Sequence, residues 1–252
     1  RPGAKPIPTD APRELARWAA ARPLTVGARK KARAARGSLS REAVLLAASE
    51  LADREGIDRL SMRRLGQALG VEAMSLYKHV ANKDEILDGI VDHVVREIDL
   101  PDRGEPWRPA MRRRAVSAFE MFGRHPWALG LMESRKNPGP HSLRYYDAVL
   151  RCLREDGFSV ALAAHAFSLL DSYVYGFALQ HSKLPFETEE ELAAIATHIL
   201  AGMPEEEYPH LHESTREHVL QPGCSYDAEF AWGLELVLDA LERRVREASP
   251  RS

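Results

Sequence analysis

The sequence predicts an all-α protein in which three short helices are followed by a larger helical domain. Three observations lead to this prediction. From Leu39 onward apolar residues recur at helical spacing, strand-like alternation is missing, and cap residues separate the periodic segments. The chain has 252 residues, of which 44% are hydrophobic and 29% charged, and this composition is ordinary for a globular protein.

The first segment, residues 1–37, has no sustained apolar period and contains Pro2, Pro6, Pro8, Pro12 and Pro23. It ends on the basic run RKKARAAR at 29–36. We therefore expect a flexible basic arm that contacts a polyanion, or alternatively a tail that only improves solubility.

Residues 38–85 predict a compact unit of three helices. The first follows the N-cap Ser40 and stops at Gly56, the second runs from Ser61 to Gly70, and the third is a very short segment near 72–78. The second helix is expected to turn Met62, Leu65, Ala68 and Leu69 inward. Its tight connection to the third predicts a helix-turn-helix, in which the second helix braces the third in the major groove of DNA.

The larger domain is expected to span residues 86–252. Asn82 begins a capping box that opens a long connecting helix, and Pro101 closes it. Further helices are predicted at 107–123, 126–134, 140–156, 159–183, 188–201 and 227–248. Because residues 202–223 contain Pro204, Pro209 and Pro222, we expect a long irregular or broken connection there.

Charge is distributed unevenly along the chain. Residues 1–83 hold 17 Lys and Arg against 8 Asp and Glu, whereas residues 84–252 hold 18 against 29. This asymmetry favours a polyanionic partner for the front of the chain. Side chains suited to phosphate or base contacts lie on the helix-turn-helix and at the next helix start, and we predict these as DNA-binding residues: Arg63, Arg64, Met74, Ser75, Tyr77, Lys78, His79 and Lys83.

Residues 56–71 (GIDRLSMRRLGQALGV) and 75–87 (SLYKHVANKDEIL) resemble the DNA-binding domain of the TetR family of bacterial transcriptional regulators. The resemblance implies that Tyr77 and Lys83 contact phosphates and that Arg63 reaches a base or a phosphate. It places Met74, Ser75, Lys78 and His79 in or beside the groove. The function it implies is that of a homodimeric regulator, most simply a repressor that a small molecule releases from a palindromic operator.

The rear of the chain is similar to the C-terminal domain of the tetracycline repressor branch over about 107–183. The family implies a dimer interface built from the helices at 159–183 and 227–248. Their apolar stripes supply the candidate interface residues Leu162, Ala166, Leu170, Phe230, Leu234, Val237, Leu238, Leu241 and Val245. The alternative is that both stripes belong to the core of a single chain.

The family also implies an effector pocket inside the rear helices. Met132 and Arg114 stand near the positions of the family's metal-binding His and drug-contacting Asn, so tetracycline itself is not expected. A largely apolar effector is expected instead. The candidate pocket residues are Met111, Phe119, Phe122, Trp127, Met132, Tyr145, His165, Leu169, Tyr173 and Phe177.

Other classes of function lack support in the sequence. No nucleophile elbow, phosphate-binding loop or dinucleotide fingerprint occurs, so no enzyme and no cofactor are predicted. His210 and His212 lack a cysteine at ligand spacing, so no metal site is predicted. No membrane span or export leader is recognised, which leads us to expect a cytoplasmic, nucleoid-associated protein. A ligand-independent or architectural DNA-binding protein, or an all-α enzyme, is the alternative.

Overall fold

The structure is a computed structural model that describes residues 39–132, 134–135, 137–186 and 188–248. These residues form helices and connecting turns without a strand, which confirms the all-α prediction. The described part forms two compact units, one of residues 39–182 with 237–248 and one of residues 183–236. The basic arm at 1–37 lies outside the described residues.

The helices of the first unit up to the connecting helix follow the predicted order. Ser40 and Ser61 each cap a helix N-terminus with the side-chain oxygen, and Asn82 does the same for the connecting helix. The helices are α1 (Arg41–Glu55), α2 (Met62–Leu69), α3 (Ala73–Leu76) and α4 (Lys83–Val95), with a 3₁₀ turn at Ile57–Arg59.

The remaining helices, apart from α10, have bounds within a few residues of those predicted. They are α5 (Trp107–Arg124), α6 (Trp127–Met132), α7 (Pro140–Glu155), α8 (Val160–His181), α9 (Glu189–Gly202), α10 (Pro209–Ser214) and α11 (Tyr226–Ala248). Within the first unit α4 packs against α1, α6 and α7, and α8 packs against α5 and α7. The connecting helix α4 therefore contacts both the front helices and the rear ones.

The prediction for residues 202–223 was wrong in part. This stretch contains α10 and a π-helical turn at Thr215–Val219. Pro209 occupies the first turn of α10, where its missing N–H costs nothing, so here a proline starts a helix instead of breaking one.

The second helix also differs from its predicted inward face, since Ala68 is exposed and Gly66 is buried. A Cβ at Gly66 would lie 2.8 Å from the Val71 carbonyl oxygen and 3.2 Å from the Ala73 nitrogen. Glycine therefore allows α2 and α3 to approach at backbone contact, which sets the geometry of the helix-turn-helix. Gly70, with φ of 71°, makes the turn itself.

Side chains of α4 tie it to the segments that follow α6. The Asp92 carboxylate accepts hydrogen bonds from the Ser142 N–H (2.8 Å) and hydroxyl (2.9 Å) and from the His141 N–H (3.3 Å) at the start of α7. Arg135 donates to the carboxylates of Asp88 and Asp84. A shift of α4 is thus opposed by ionic and hydrogen bonds to the rear helices.

Candidate functional site

The front helices present an exposed face that carries most of the predicted DNA-binding residues. Met74 is 74% exposed and Tyr77 46% exposed, although both are large and apolar or aromatic. Arg63, Lys78 and Lys83 are also exposed, while Ser75 and His79 are half-buried beside them. We call Arg63, Met74, Tyr77, Lys78 and Lys83 the recognition surface.

Buried residues of the same short segment fix this surface in place. Leu76 and Val80 lie in the core, and the exposed Tyr77 and Lys78 stand between them in the sequence. A segment with only one helical turn cannot be stable alone. Its position therefore depends on these anchors and on the close approach at Gly66.

Arg64 differs from the other predicted contacts. Its guanidinium is paired with Glu55 of α1, and its backbone N–H donates to the capping oxygen of Ser61 at 3.3 Å. Both the guanidinium and the backbone N–H of Arg64 are therefore already engaged within the chain. Arg64 contributes to the packing of α2 on α1 in this state.

Lys83 is the first residue of α4, where backbone N–H groups attract anions. Glu85 fixes this helix start, since its carboxylate accepts from the Ala81 N–H at 2.7 Å and from Arg41 of α1 at 3.1 Å. The hydrogen bond from Ala81 and the ion pair with Arg41 lower the pKa of Glu85. The Glu85 carboxylate is thereby paired within the chain, whereas the Lys83 side chain is exposed to solvent.

A buried charge lies in the rear helices. Arg114 of α5 is 1% exposed, and its Nε donates to the Tyr145 hydroxyl at 2.7 Å. Its Nη2 donates to Asp171 of α8, whereas its Nη1 is buried without a hydrogen-bond partner among the described residues. The guanidinium lies over the rings of Tyr145 and Phe167, with its carbon 5.0 and 5.3 Å from the ring centroids.

Most of the predicted pocket residues lie in the interior. Met111, Phe119, Phe122, Trp127 and Tyr145 are buried, and Met132, Tyr173 and Phe177 are half-buried. His165 and Leu169 do not lie inside, contrary to the prediction. The buried face of α8 runs through Ala166, Leu170 and Val174, and helical geometry places His165 and Leu169 away from it.

The predicted dimer stripes are also mostly interior. Leu162, Val237 and Val245 are half-buried, and the other six predicted residues are buried within the single chain, among them Leu234 and Leu238 at 0% exposure. The alternative, that these stripes form the core of one chain, therefore holds for those six: Ala166, Leu170, Phe230, Leu234, Leu238 and Leu241. On the same two helices the exposed large apolar residues are Val160, Leu169, Leu179, Trp232 and Leu236.

Sequence reasoning missed a charged cluster where the front and rear helices meet. His125 lies between Asp53 of α1, 2.8 Å from Nδ1, and Glu97, 3.1 Å from Nε2. Trp127, predicted to line the pocket, donates from its indole N–H to Asp53 at 2.6 Å. Asp53, Glu97 and His125 are far apart in sequence and share no spacing motif, so no local signal could have found this cluster.

One group of residues offers metal ligands. His210 is exposed and His212 is buried, so the histidine pair considered in the sequence does not converge. His218, Cys224 and Glu229 do converge, with their ligand atoms all within 4.8 Å of one another.

Among the described residues, every helix is too short or too polar to cross a membrane.

Comparison with known proteins agrees with this geometry. The model of bacterial regulatory proteins of the tetR family matches residues 44–90, and that of the tetracyclin repressor-like C-terminal domain matches residues 100–245. The exposed recognition surface lies within the first match, and Arg114 lies within the second. The chain belongs to the TetR family, whose members are DNA-binding transcriptional regulators and not enzymes.

Relatives and solved structures support the same assignment over most of the chain. The transcriptional repressor DrrR1 of Streptomyces coeruleorubidus is 32% identical over 85% of this chain and 81% of its own length. The class D tetracycline repressor of Escherichia coli is 34% identical over 81% and 89%, respectively. ActR of Streptomyces coelicolor, solved without ligand, matches 84% of this chain and 98% of its own with 29% identity and a TM-score of 0.68.

Proposed function

We propose that the protein is a homodimeric repressor that a small molecule releases from a palindromic operator. The observation that carries this proposal is the recognition surface, where large and basic side chains stand exposed on a short segment anchored by buried neighbours. In the free chain, Met74 and Tyr77 expose apolar surface to water, which is unfavourable. A DNA groove would cover that surface. A regulator of this kind acts at the nucleoid.

In the DNA complex, Tyr77 and Lys83 contact phosphates and set the register, while Met74, Ser75, Lys78 and His79 lie in or beside the major groove. Arg63 reaches a base or a phosphate. Arg64 can join them only after leaving Glu55. The two recognition segments of a dimer enter successive major grooves about 34 Å apart, so the operator is a near-palindrome.

The surfaces that we propose for dimerisation are the exposed apolar residues of α8 and α11. Trp232 and Leu236 are 52% and 41% exposed and lie one turn apart on the same side of α11. On α8, Leu169 and Leu179 are 45% and 41% exposed. Apolar residues of this size on two long helices are typical of an interface.

Dimerisation is tested by charge insertion on the exposed side of α11. Trp232→Glu together with Leu236→Glu should give a folded monomer that no longer retains operator DNA, as followed by sedimentation and circular dichroism. Leu234→Glu, on the buried side of the same helix, should instead lower stability without selectively producing monomers. A stable dimer of the double variant would refute this interface.

The effector that we propose is a largely apolar, aromatic molecule with a hydrogen-bond-accepting oxygen. Phe119 and Phe122 of α5 and Tyr145 of α7 are buried aromatic residues, and Phe119 meets the half-buried Phe177 of α8 with ring centroids 6.4 Å apart. Asp171 offsets the charge of Arg114, and the free Nη1 donor suits a carbonyl or phenol oxygen. The related ActR is solved in complex with actinorhodin and with (S)-DNPA.

Effector binding changes the affinity for DNA through α4. Ligand shifts the equilibrium only by its difference in affinity between two states of the protein. The contacts from Asp92 to α7 and from Arg135 to Asp88 connect a rearrangement of the rear helices to α4.

We further propose a basic arm at 1–37, a DNA-binding domain at 38–85 and a regulatory domain at 86–252.

The first experiment is retention of pooled genomic fragments by the purified protein at ~150 mM salt, followed by sequencing. Enrichment of a short palindrome, released by a small molecule, is the expected result. Retention without a shared site would instead support the alternative of a non-specific or architectural DNA-binding protein.

Variants of the recognition surface then test the contacts. Tyr77→Ala and Lys83→Ala should each weaken binding to all sequences by ~1–2 kcal/mol, as ordinary phosphate contacts do. Tyr208→Ala and Lys183→Ala are matched controls, because both residues are exposed and lie outside the recognition surface. A loss confined to one base position would contradict the phosphate assignment.

A further inference from the structure

A second site lies between the π-helical turn and the start of α11, far along the chain from the recognition surface. His218 is the fourth residue of the turn Thr215–Val219, and its Nε2 is 2.9 Å from a carboxylate oxygen of Glu229 in the first turn of α11. The Cys224 sulfur completes a triangle of imidazole, thiol and carboxylate within 4.8 Å. Neither the DNA contacts nor the proposed effector contacts use these groups.

We propose that His218, Cys224 and Glu229 bind a divalent metal ion of the zinc class. One nitrogen, one sulfur and one oxygen ligand form a set that zinc accepts, and a water molecule would complete the tetrahedron. This inference goes beyond the proposed function and does not depend on DNA binding.

The spacing of the three ligand atoms suits a tetrahedral ion. Zinc bonds of about 2.0–2.3 Å place neighbouring ligand atoms about 3.3–3.7 Å apart. The observed spread, up to 4.8 Å, differs from this by an amount that side-chain rotation can supply. The His218–Glu229 pair would open slightly from its 2.9 Å hydrogen bond to admit the ion.

The backbone brings these side chains together through a defined chain reversal. Gly223 has φ of 84°, which turns the chain just before Cys224. The Cys224 N–H donates to the Gln221 carbonyl at 3.2 Å, and the Ser225 hydroxyl accepts from the Ala228 N–H to begin α11. Single π-helical turns are rare and occur frequently at functional sites, and this one carries His218.

The charge around the cluster also favours a cation. The carboxylates of Glu229 and Glu189 place negative charge near the Cys224 sulfur. These carboxylates attract a divalent ion, which stabilises the Cys224 thiolate as its ligand. Glu189, at the start of α9, thus adds to the attraction from outside the triangle.

The test is a titration of the metal-free full-length protein with Co²⁺, with zinc used to displace it. We expect one Co²⁺ per chain, a thiolate-to-cobalt charge-transfer band, and loss of that band on adding Zn²⁺. Cys224→Ser should abolish the band, and Glu229→Gln and His218→Gln should weaken binding by at least about tenfold, because even loss of an outer-shell partner costs about that much.

Two variants serve as matched controls, and neither residue belongs to the cluster. Cys152→Ala removes the other cysteine, which is buried in α7, and His210→Gln removes an exposed histidine of the same unit. Both should bind Co²⁺ as the parent does. Absence of Co²⁺ binding, or binding that Cys224→Ser and Glu229→Gln retain while circular dichroism shows them folded, would overturn the proposal.

Discussion

Two clusters of charged side chains in the same compact unit differ in how completely their polar atoms are paired. In the cluster around His125, both ring nitrogens meet carboxylates, and Glu97 also accepts from Arg124 at 3.0 and 2.8 Å. In the cluster around Arg114, one guanidinium nitrogen is buried and finds no partner in the part of the chain that the structure describes. The polar atoms of the first cluster are thus paired more completely than those of the second.

The electrostatics of the complete cluster follow from its pairing. Burial alone would lower the pKa of His125, but hydrogen bonds to Asp53 and Glu97 override it and raise the pKa to about 9. Burial would likewise raise the pKa of Glu97, yet His125 and Arg124 lower it to about 2. The imidazolium therefore stays charged near neutral pH and connects α1 to the segments beside α5.

The difference indicates two separate roles. A buried donor without a partner costs free energy, so a protein that retains one gains from it elsewhere. We propose that the complete cluster connects the front and rear helices, whereas the incomplete one receives an acceptor atom of the effector. Variants of the two clusters can therefore separate stability from effector response.

The largest expected effect is the pH dependence of the His125 cluster. Because the folded-state pKa is raised from 6.5 to about 9, the stabilisation is fully present below pH 6.5 and is lost as pH rises through 9. The rise corresponds to up to about 3 kcal/mol of unfolding free energy. Denaturant unfolding of the parent and of His125→Gln, compared below pH 6.5 and above pH 9, measures it.

His93 provides the control for this experiment. Burial and Arg96 lower the pKa of His93, so its contribution is lost on the acidic side of 6.5. His93→Gln should keep the alkaline loss, and His125→Gln should remove it. If the parent and His125→Gln lose stability in parallel between pH 6.5 and 9, the cluster does not connect the front and rear helices as proposed.

The next effect concerns Arg114 and appears in the effector response. Arg114→Met should leave stability within about 1 kcal/mol of the parent, because an apolar side chain replaces a buried charge and Asp171 is exposed enough to be hydrated. The proposed effector contact with Nη1, a charge-assisted hydrogen bond, is removed, and this contact is worth about 2 kcal/mol or roughly 30-fold in the concentration that releases operator DNA.

Arg113→Met is the matched control, since the neighbouring Arg113 is paired with Glu105 and donates to the Leu100 carbonyl. It should leave the releasing concentration unchanged. Equal release by Arg114→Met and the parent would mean that the free donor does not face the effector.

The front helices were predictable because their signals are local. Ser40, Ser61 and Asn82 cap helices at the positions where sequence reasoning placed them, and Gly56 and Gly70 end two of them. Cap chemistry involves residues within a single turn, so it can be read from a short window of sequence. The close approach at Gly66 needed the structure, because its neighbours belong to the next helix.

The packing partners of the rear helices could not be predicted from such local signals. The stripe of Leu234, Leu238 and Leu241 shows that one face of α11 is apolar, but periodicity does not say whether a second chain or the same chain covers it. The structure buries this stripe within one chain and exposes Trp232 and Leu236 instead. The meeting of His125 with Asp53, or of Cys224 with His218, likewise depends on tertiary folding.

The smallest expected effect is that of Trp127, whose indole N–H donates to Asp53 in the His125 cluster. Trp127→Phe removes the indole N–H that donates to Asp53 but keeps an aromatic ring in the core, so it should cost about 1 kcal/mol of unfolding free energy. Tyr208→Phe, which removes an exposed hydroxyl that donates to Glu207, should cost far less in the same unfolding assay. Because Asp53 keeps His125 as a partner, the alkaline loss of stability should persist in Trp127→Phe. If that loss disappeared with the indole, Trp127 would be required to position Asp53 and the connection would depend on all three side chains.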